Sequence, residues 1–244
     1  MILITGATSG HGLYLAERLS RDHRVLLHGR DQKRTEELAA RLGAEPYVAD
    51  LSDLSQVARL AAEVAAHHPK IDALINNAGI GYGSERETSV DGHELRLAVM
   101  YLAPALLTRL LLPRITSTVL NIGSQGQESI DFEDIEMLKN YSGLSAYRRA
   151  KLALVMNTLD TAAARPNLRV NVVHPATYMD TPMIRRAGGT AQTTVEQGGE
   201  ATIRVLGSPL TGTFFMGDRP AEAHPDAYRP ELRARLRELP KELR

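Results

Sequence analysis

The chain of 244 residues contains no cysteine. Disulfide staples, thiolate-bound zinc and a thiol nucleophile are excluded at once, and the absence fits a reducing compartment. Nor is there an excess of charge: 29 Lys plus Arg balance 29 Asp plus Glu. A neutral chain lacks the basic footprint that holds a nucleic-acid backbone, so no nucleic-acid partner is expected. Long apolar runs are missing too. The longest, over 102–112, is interrupted by Pro104, Thr108 and Arg109, short of the roughly 20 residues a membrane span needs. Met1-Ile2-Leu3-Ile4-Thr5-Gly6 enters a strand directly, without the basic and apolar segments of a secretory signal. The expectation is a cytoplasmic protein with no membrane partner. His67-His68 precedes Pro69 at an expected helix end and reads as a surface feature, so no metal site is expected.

What is present is alternation. Short β-branched and leucine-rich runs at 2–5, 25–28, 45–48, 71–76, 118–122, 168–173 and 212–216 are predicted strands. Between them, helical patterns run over 12–21, 33–42, 54–67, 89–112, 145–164 and 194–206. Strand–helix alternation with right-handed crossovers predicts an α/β, Rossmann-type doubly wound parallel sheet of about seven strands in three αβα layers. No linker, repeat or low-complexity stretch divides it, so residues 1–244 are expected to form one domain. Two long connections interrupt the rhythm, 124–144 and 180–194, and the second is a candidate substrate loop. From about 219 the sequence is charged and punctuated by proline, which predicts a surface tail with a helix near 230–239.

Gly6-Ala7-Thr8-Ser9-Gly10-His11-Gly12 follows the first strand and opens the first helix. Glycines there allow a tight turn and let the backbone approach a pyrophosphate, whose charge meets the helix N-terminus. The acidic residue that would bind a ribose 2′-hydroxyl at the end of the second strand is missing. That strand ends instead in Gly29-Arg30. A guanidinium there can pair with a 2′-phosphate, so NADP(H) is favoured over NAD(H). Asp31 follows and weakens the preference.

In this order, the motifs resemble those of the short-chain dehydrogenases/reductases. Thr5-Gly6-x-x-x-Gly10-x-Gly12 has the family's glycine spacing, and Asp50-Leu51 resembles its adenine-contacting pair. Asn76-Asn77-Ala78-Gly79 matches its N-N-A-G motif. Ser124, with Tyr147-x-x-x-Lys151, matches its catalytic serine and Y-x-x-x-K. His174-Pro175 and Thr181 resemble the segment that meets the nicotinamide. The stretch 131–143 and Leu102-Ala103-Pro104 look like the retinol-dehydrogenase-like branch, here without an anchor. The resemblance implies a carbonyl reductase or alcohol dehydrogenase. Its cofactor-binding residues would be Gly6, Ser9, Gly10, His11, Gly12, Arg30, Asp50, Leu51, Asn77, Ala78, Gly79, Tyr147, Lys151, Pro175 and Thr181. Gln125, Tyr178 and Met183 would face a small, apolar ketone, aldehyde or alcohol.

The residue types suit that chemistry. Hydride delivery to a carbonyl builds negative charge on its oxygen, so a nearby proton donor lowers the barrier. Tyr147 and Lys151 are four residues apart and share one helix face. The ammonium is expected to lower the phenol pKa, while Ser124 orients the substrate oxygen. Met100 departs from the pattern, standing where the family carries an asparagine that supports a proton relay. A thioether cannot donate a hydrogen bond, which leaves a second expectation: a nucleotide-binding protein with weak or lost turnover. The leucines Leu106-Leu107 and Leu110-Leu111 offer a face for a homodimer or homotetramer, and would serve equally as core.

Overall fold

A computed structural model of the chain describes residues 1–238. Its strands are β1 (Ile2–Ile4), β2 (Val25–Gly29), β3 (Glu45–Val48), β4 (Ile71–Asn76), β5 (Ile115–Ile122), β6 (Arg169–His174), β7 (Phe214–Met216) and β8 (Arg219–Ala221). They form one sheet in the order β3-β2-β1-β4-β5-β6-β7-β8, parallel except for the antiparallel β7–β8 pair. Continuous apolar strands such as Ile2-Leu3-Ile4 are what a sheet covered on both faces demands. Alternation along β1 sends Leu3 to one core layer, and Ile2 and Ile4 to the other.

The helices are α1 (Gly10–Leu19), α2 (Gln32–Leu42), α3 (Leu54–His67), α4 (Leu95–Leu97), α5 (Ala103–Leu111), α6 (Gly143–Ala164), α7 (Pro182–Arg186), α8 (Val195–Leu206) and α9 (Pro230–Glu238). A π turn over Ala98–Leu102 joins α4 to α5 as one rod. The helix expected over 89–112 therefore begins later, because the Glu94 carboxylate caps it by accepting from Leu97 N. From β1 the chain winds outward to β3, then crosses back to β4. That reversal opens a crevice at the C-terminal ends of β1 and β4, where doubly wound sheets bind ligands.

Three expectations are corrected. The stretch from 219 is not a loose tail: β8 extends the sheet to eight strands, and Ala227 and Leu236 are buried in the core. Position 239 of the expected last helix lies outside the described residues. His68 is buried, hydrogen-bonded to Glu45 Oε1 and Tyr47 Oη at 2.9 and 3.1 Å, so only His67 is a surface residue. Leu106, Leu107 and Leu111 are buried within this one chain and only Leu110 is exposed, which removes them as an association face. No helix of the described residues is long and apolar enough to cross a membrane.

Candidate active site

The glycine loop turns between β1 and α1. Gly6 has φ +63°, a left-handed conformation that a side chain disfavours. A Cβ on Gly12 would lie 2.2 Å from the Gly6 carbonyl oxygen, so the helix can start this close to the strand only without one. Ser9 at the N-cap makes no side-chain capping bond. The first N–H groups of α1 are left uncapped by it, and these are the donors a diphosphate uses.

Polar side chains brace this loop from below. Asn77 Nδ2 donates to the Thr5 and Gly6 carbonyls at 2.9 and 3.2 Å, and Thr5 Oγ1 accepts from the backbone of Asn77 and Ala78. His28, at the end of β2, accepts the Gly6 N–H on Nδ1 at 3.1 Å, and its Nε2 faces the Ala49 carbonyl. Burial pulls the His28 pKa down to about 4, so the ring is neutral and fit to accept. The first asparagine of the N-N-A-G motif turns elsewhere: Asn76 bonds Thr108 on α5 and Asn121 on β5. The His11 ring, expected among the cofactor-binding residues, points into the α1–α8 seam. Its nitrogens meet Asn77 Oδ1 and Thr202 Oγ1 at 2.9 and 3.0 Å, leaving only its backbone for a nucleotide.

At the rim, Arg30 is exposed with its guanidinium 3.9 Å from Asp50. Asp31 caps α2, its Oδ1 accepting from Arg34 N at 2.8 Å. Leu51 packs into the core rather than the cleft. Thr181 caps α7 and lies against Gly10, within 3.3 Å of where a Cβ there would stand. The start of the 180–194 connection therefore packs against the glycine turn. On the same loop Met183 reaches Gly79 and Gly81, whereas Pro175 packs beneath α8 against Gly198. Tyr178 is half-exposed at the mouth. Gln125 is exposed and donates to Thr177 Oγ1.

Ser124, Tyr147 and Lys151 converge where β5 ends and α6 begins. The Ser124 hydroxyl lies beside the Tyr147 phenol and accepts the Gly126 N–H at 3.0 Å. Lys151 is buried, donates to the Ile122 carbonyl at 2.8 Å, and lies 5.7 Å from the centre of the Tyr147 ring. The expected lowering of the Tyr147 pKa is not found. Burial raises it, and the neighbouring Ser124 hydroxyl only partly opposes that. Burial also drags the Lys151 pKa down to about 8, so each group disfavours its charged form.

Several residues of this site escaped the sequence reading. Tyr82 stands edge-on to Tyr147, ring centres 5.3 Å apart. An aromatic residue between Gly81 and Gly83, just past N-N-A-G, was the available signal. Glu94 and Arg96 form a buried ion pair at 3.3 Å, to which Tyr141 adds a 3.0 Å bond and Glu87 a 2.8 Å contact. This network ties the loop after β4 to the entry of α6. Met100 is buried in the π turn and packs with Val99 and Ala150 beside Tyr147, filling core space as a thioether does.

Comparison with known proteins gives the same picture. A family model described as short chain dehydrogenase matches residues 1–191. DnrU of Streptomyces sp. strain C5, a candidate daunorubicin C-13 ketoreductase, is 37% identical over 185 residues, covering 71% of this chain and 64% of its own. Human retinol dehydrogenase 14 is 34% identical over 203 residues, covering 71% and 60%. The match thus spans less than two thirds of each relative's length. The crystal structure of a protein from Mycobacterium paratuberculosis superposes with a TM-score of 0.85 at 29% identity, over 99% of this chain and 92% of that one.

Proposed function

The chain belongs to the short-chain dehydrogenase family, in its retinol-dehydrogenase-like branch, and on that premise we propose an NADP(H)-dependent oxidoreductase that interconverts a small, largely apolar ketone or aldehyde with its alcohol. The observation that carries this reading is the convergence of Ser124, Tyr147 and Lys151 at the C-terminal edge of the sheet, beside the glycine turn.

The residues present fit a dinucleotide. The uncapped start of α1 would take the diphosphate, Arg30 a 2′-phosphate, and Lys151 the nicotinamide ribose. When bound, the nicotinamide supplies or accepts the hydride. The work of the chain is to place the carbonyl and move its proton. Ser124 presents a hydroxyl to the carbonyl oxygen and fixes its direction. Tyr147 is the acid in reduction. A raised pKa keeps it protonated at neutral pH, the form a proton donor requires. In the oxidative direction the phenolate must form, and the Lys151 ammonium on the same helix face favours it. Tyr82 and Met183 supply apolar walls, which suit a ring-bearing carbonyl body.

Met100 supports the second expectation, of weak turnover, only in part. The buried thioether cannot relay a proton, yet the closeness of Ser124, Tyr147 and Lys151 supports catalysis. The test is a titration comparing NADPH with NADH, followed by NADPH oxidation across a panel of ketones and aldehydes. Tighter NADPH binding with turnover of at least one carbonyl is expected. Tight binding with no turnover across the panel would favour the binding-protein reading, and Met100→Asn should then restore activity.

A further inference from the structure

Arg148, the residue after Tyr147, is a cation at the mouth with no acid to answer it. From the point a Cβ on Gly126 would occupy, Ser124 Oγ is 3.5 Å and Arg148 Nε 3.9 Å away. The hydroxyl and the guanidinium thus flank the same small gap, which glycine leaves open. The charge of Arg148 also reaches Tyr82, where it works against the upward pull of burial on that phenol. Its neighbour Arg149 is committed to Glu128 at 3.3 Å, and Arg96 to Glu87 and Glu94. Arg148 is half-buried and has no ion pair or hydrogen bond among the described residues.

A guanidinium is a planar fork that matches an oxyanion with two parallel N–H donors. Half-burial strengthens such a pair relative to one in open water. Resting on the carbonyl-reductase reading above, we infer that Arg148 is a specificity-determining residue that binds a carboxylate on the substrate. The natural substrate is then a carbonyl compound whose apolar body lies against Tyr82 and whose carboxylate sits past Gly126, away from the reacting carbon.

The experiment uses 3- and 4-acetylbenzoate and their methyl esters as probes, titrated calorimetrically into the full chain in saturating NADP⁺. The wild type is expected to bind at least one acid about tenfold more tightly than its ester, as one partly solvated charge-assisted pair provides. This ratio should shrink as salt is raised and fall to about one in Arg148→Met. Arg148→Lys keeps the charge without the fork and should retain part of it. An acid that binds no better than its ester, or a ratio unchanged in Arg148→Met, overturns the assignment. NADPH-dependent reduction of the esters separates the two claims. Ester turnover without acid preference sinks the role of Arg148 and spares the reductase. Acid preference without turnover of any probe sinks the reductase reading for these ketones and spares the anion site.

Discussion

Gly143 opens α6 one turn before Tyr147, and its backbone is pressed onto the loop that carries Tyr82. A Cβ there would lie 1.8 Å from the Gly83 carbonyl oxygen, where ordinary contact begins at 3.4 Å. Both partners are backbone, so no rotamer change can relieve the clash in Gly143→Ala, and the start of α6 must move away. Two effects oppose each other in stability. Alanine gains about 1 kcal/mol over glycine inside a helix, while overpacking costs roughly 1–3 kcal/mol, so net destabilisation of about 1 kcal/mol is expected. The larger effect is on rate. Displacing a reacting group by about 1 Å can cost on the order of 100-fold, and the opening required here exceeds that. Turnover of NADPH with the best ketone of a panel should therefore fall by about two orders of magnitude. Nucleotide affinity, carried mainly by the start of α1 and Arg30 and only in part by Lys151 on α6, should fall far less than turnover. Gly207→Ala, at the end of α8 with its nearest neighbour 3.6 Å away, is the control and should behave as the parent. A folded Gly143→Ala enzyme with kcat within threefold of the parent would refute the idea that this contact sets the position of Tyr147.

Other consequences follow from the buried charges and the rim. Glu94→Ala leaves the buried Arg96 guanidinium short of an acid and frees the Tyr141 phenol; a loss on the order of 3 kcal/mol is expected in urea unfolding. The folded pKa of His28, about 4, lies below its ordinary value, so the unfolded chain takes up the proton first as pH falls. The stability that neutral His28 contributes is whole well above pH 6.5 and is lost as pH falls towards 4, by about 1.6 kcal/mol on going from 6.5 to 5. His28→Asn should flatten the pH dependence over that range, read from urea midpoints at the two pH values. His174, also held near 4 by burial and by the charge of Lys151, should leave a residual slope. Arg30→Ala should weaken NADPH binding by about tenfold, a magnitude limited by the exposure of the guanidinium, and leave NADH binding unchanged in a fluorescence titration.

The fold could be read from the sequence wherever a local pattern carried it. Strands such as Val25-Leu26-Leu27 are apolar throughout because both faces are covered, and Tyr147 and Lys151 declare their shared face through their spacing. What depended on distant partners could not be read. β8 is three residues long, contains Pro220 and exists because the edge of β7 is there to pair with it. His68 is buried by contacts with Glu45 and Tyr47, more than 20 residues earlier in the chain. Tyr82 meets Tyr147, and Tyr141 meets Glu94, only once the sheet has brought β4 and β5 side by side. The direction of the Tyr147 pKa was misjudged for a related reason. Spacing gives the nearness of Lys151, whereas burial, which raises the phenol pKa, belongs to the assembled core.

In the proposed reaction the Tyr147 hydroxyl gives its proton to a carbonyl oxygen held by Ser124. The most direct measurement is NADPH oxidation by Tyr147→Phe with a ketone the parent enzyme reduces, alongside the nucleotide affinity of the same variant. Turnover should drop by at least 100-fold while NADPH binds as before. A variant that binds nucleotide normally and reduces the ketone at the parent rate would contradict the account.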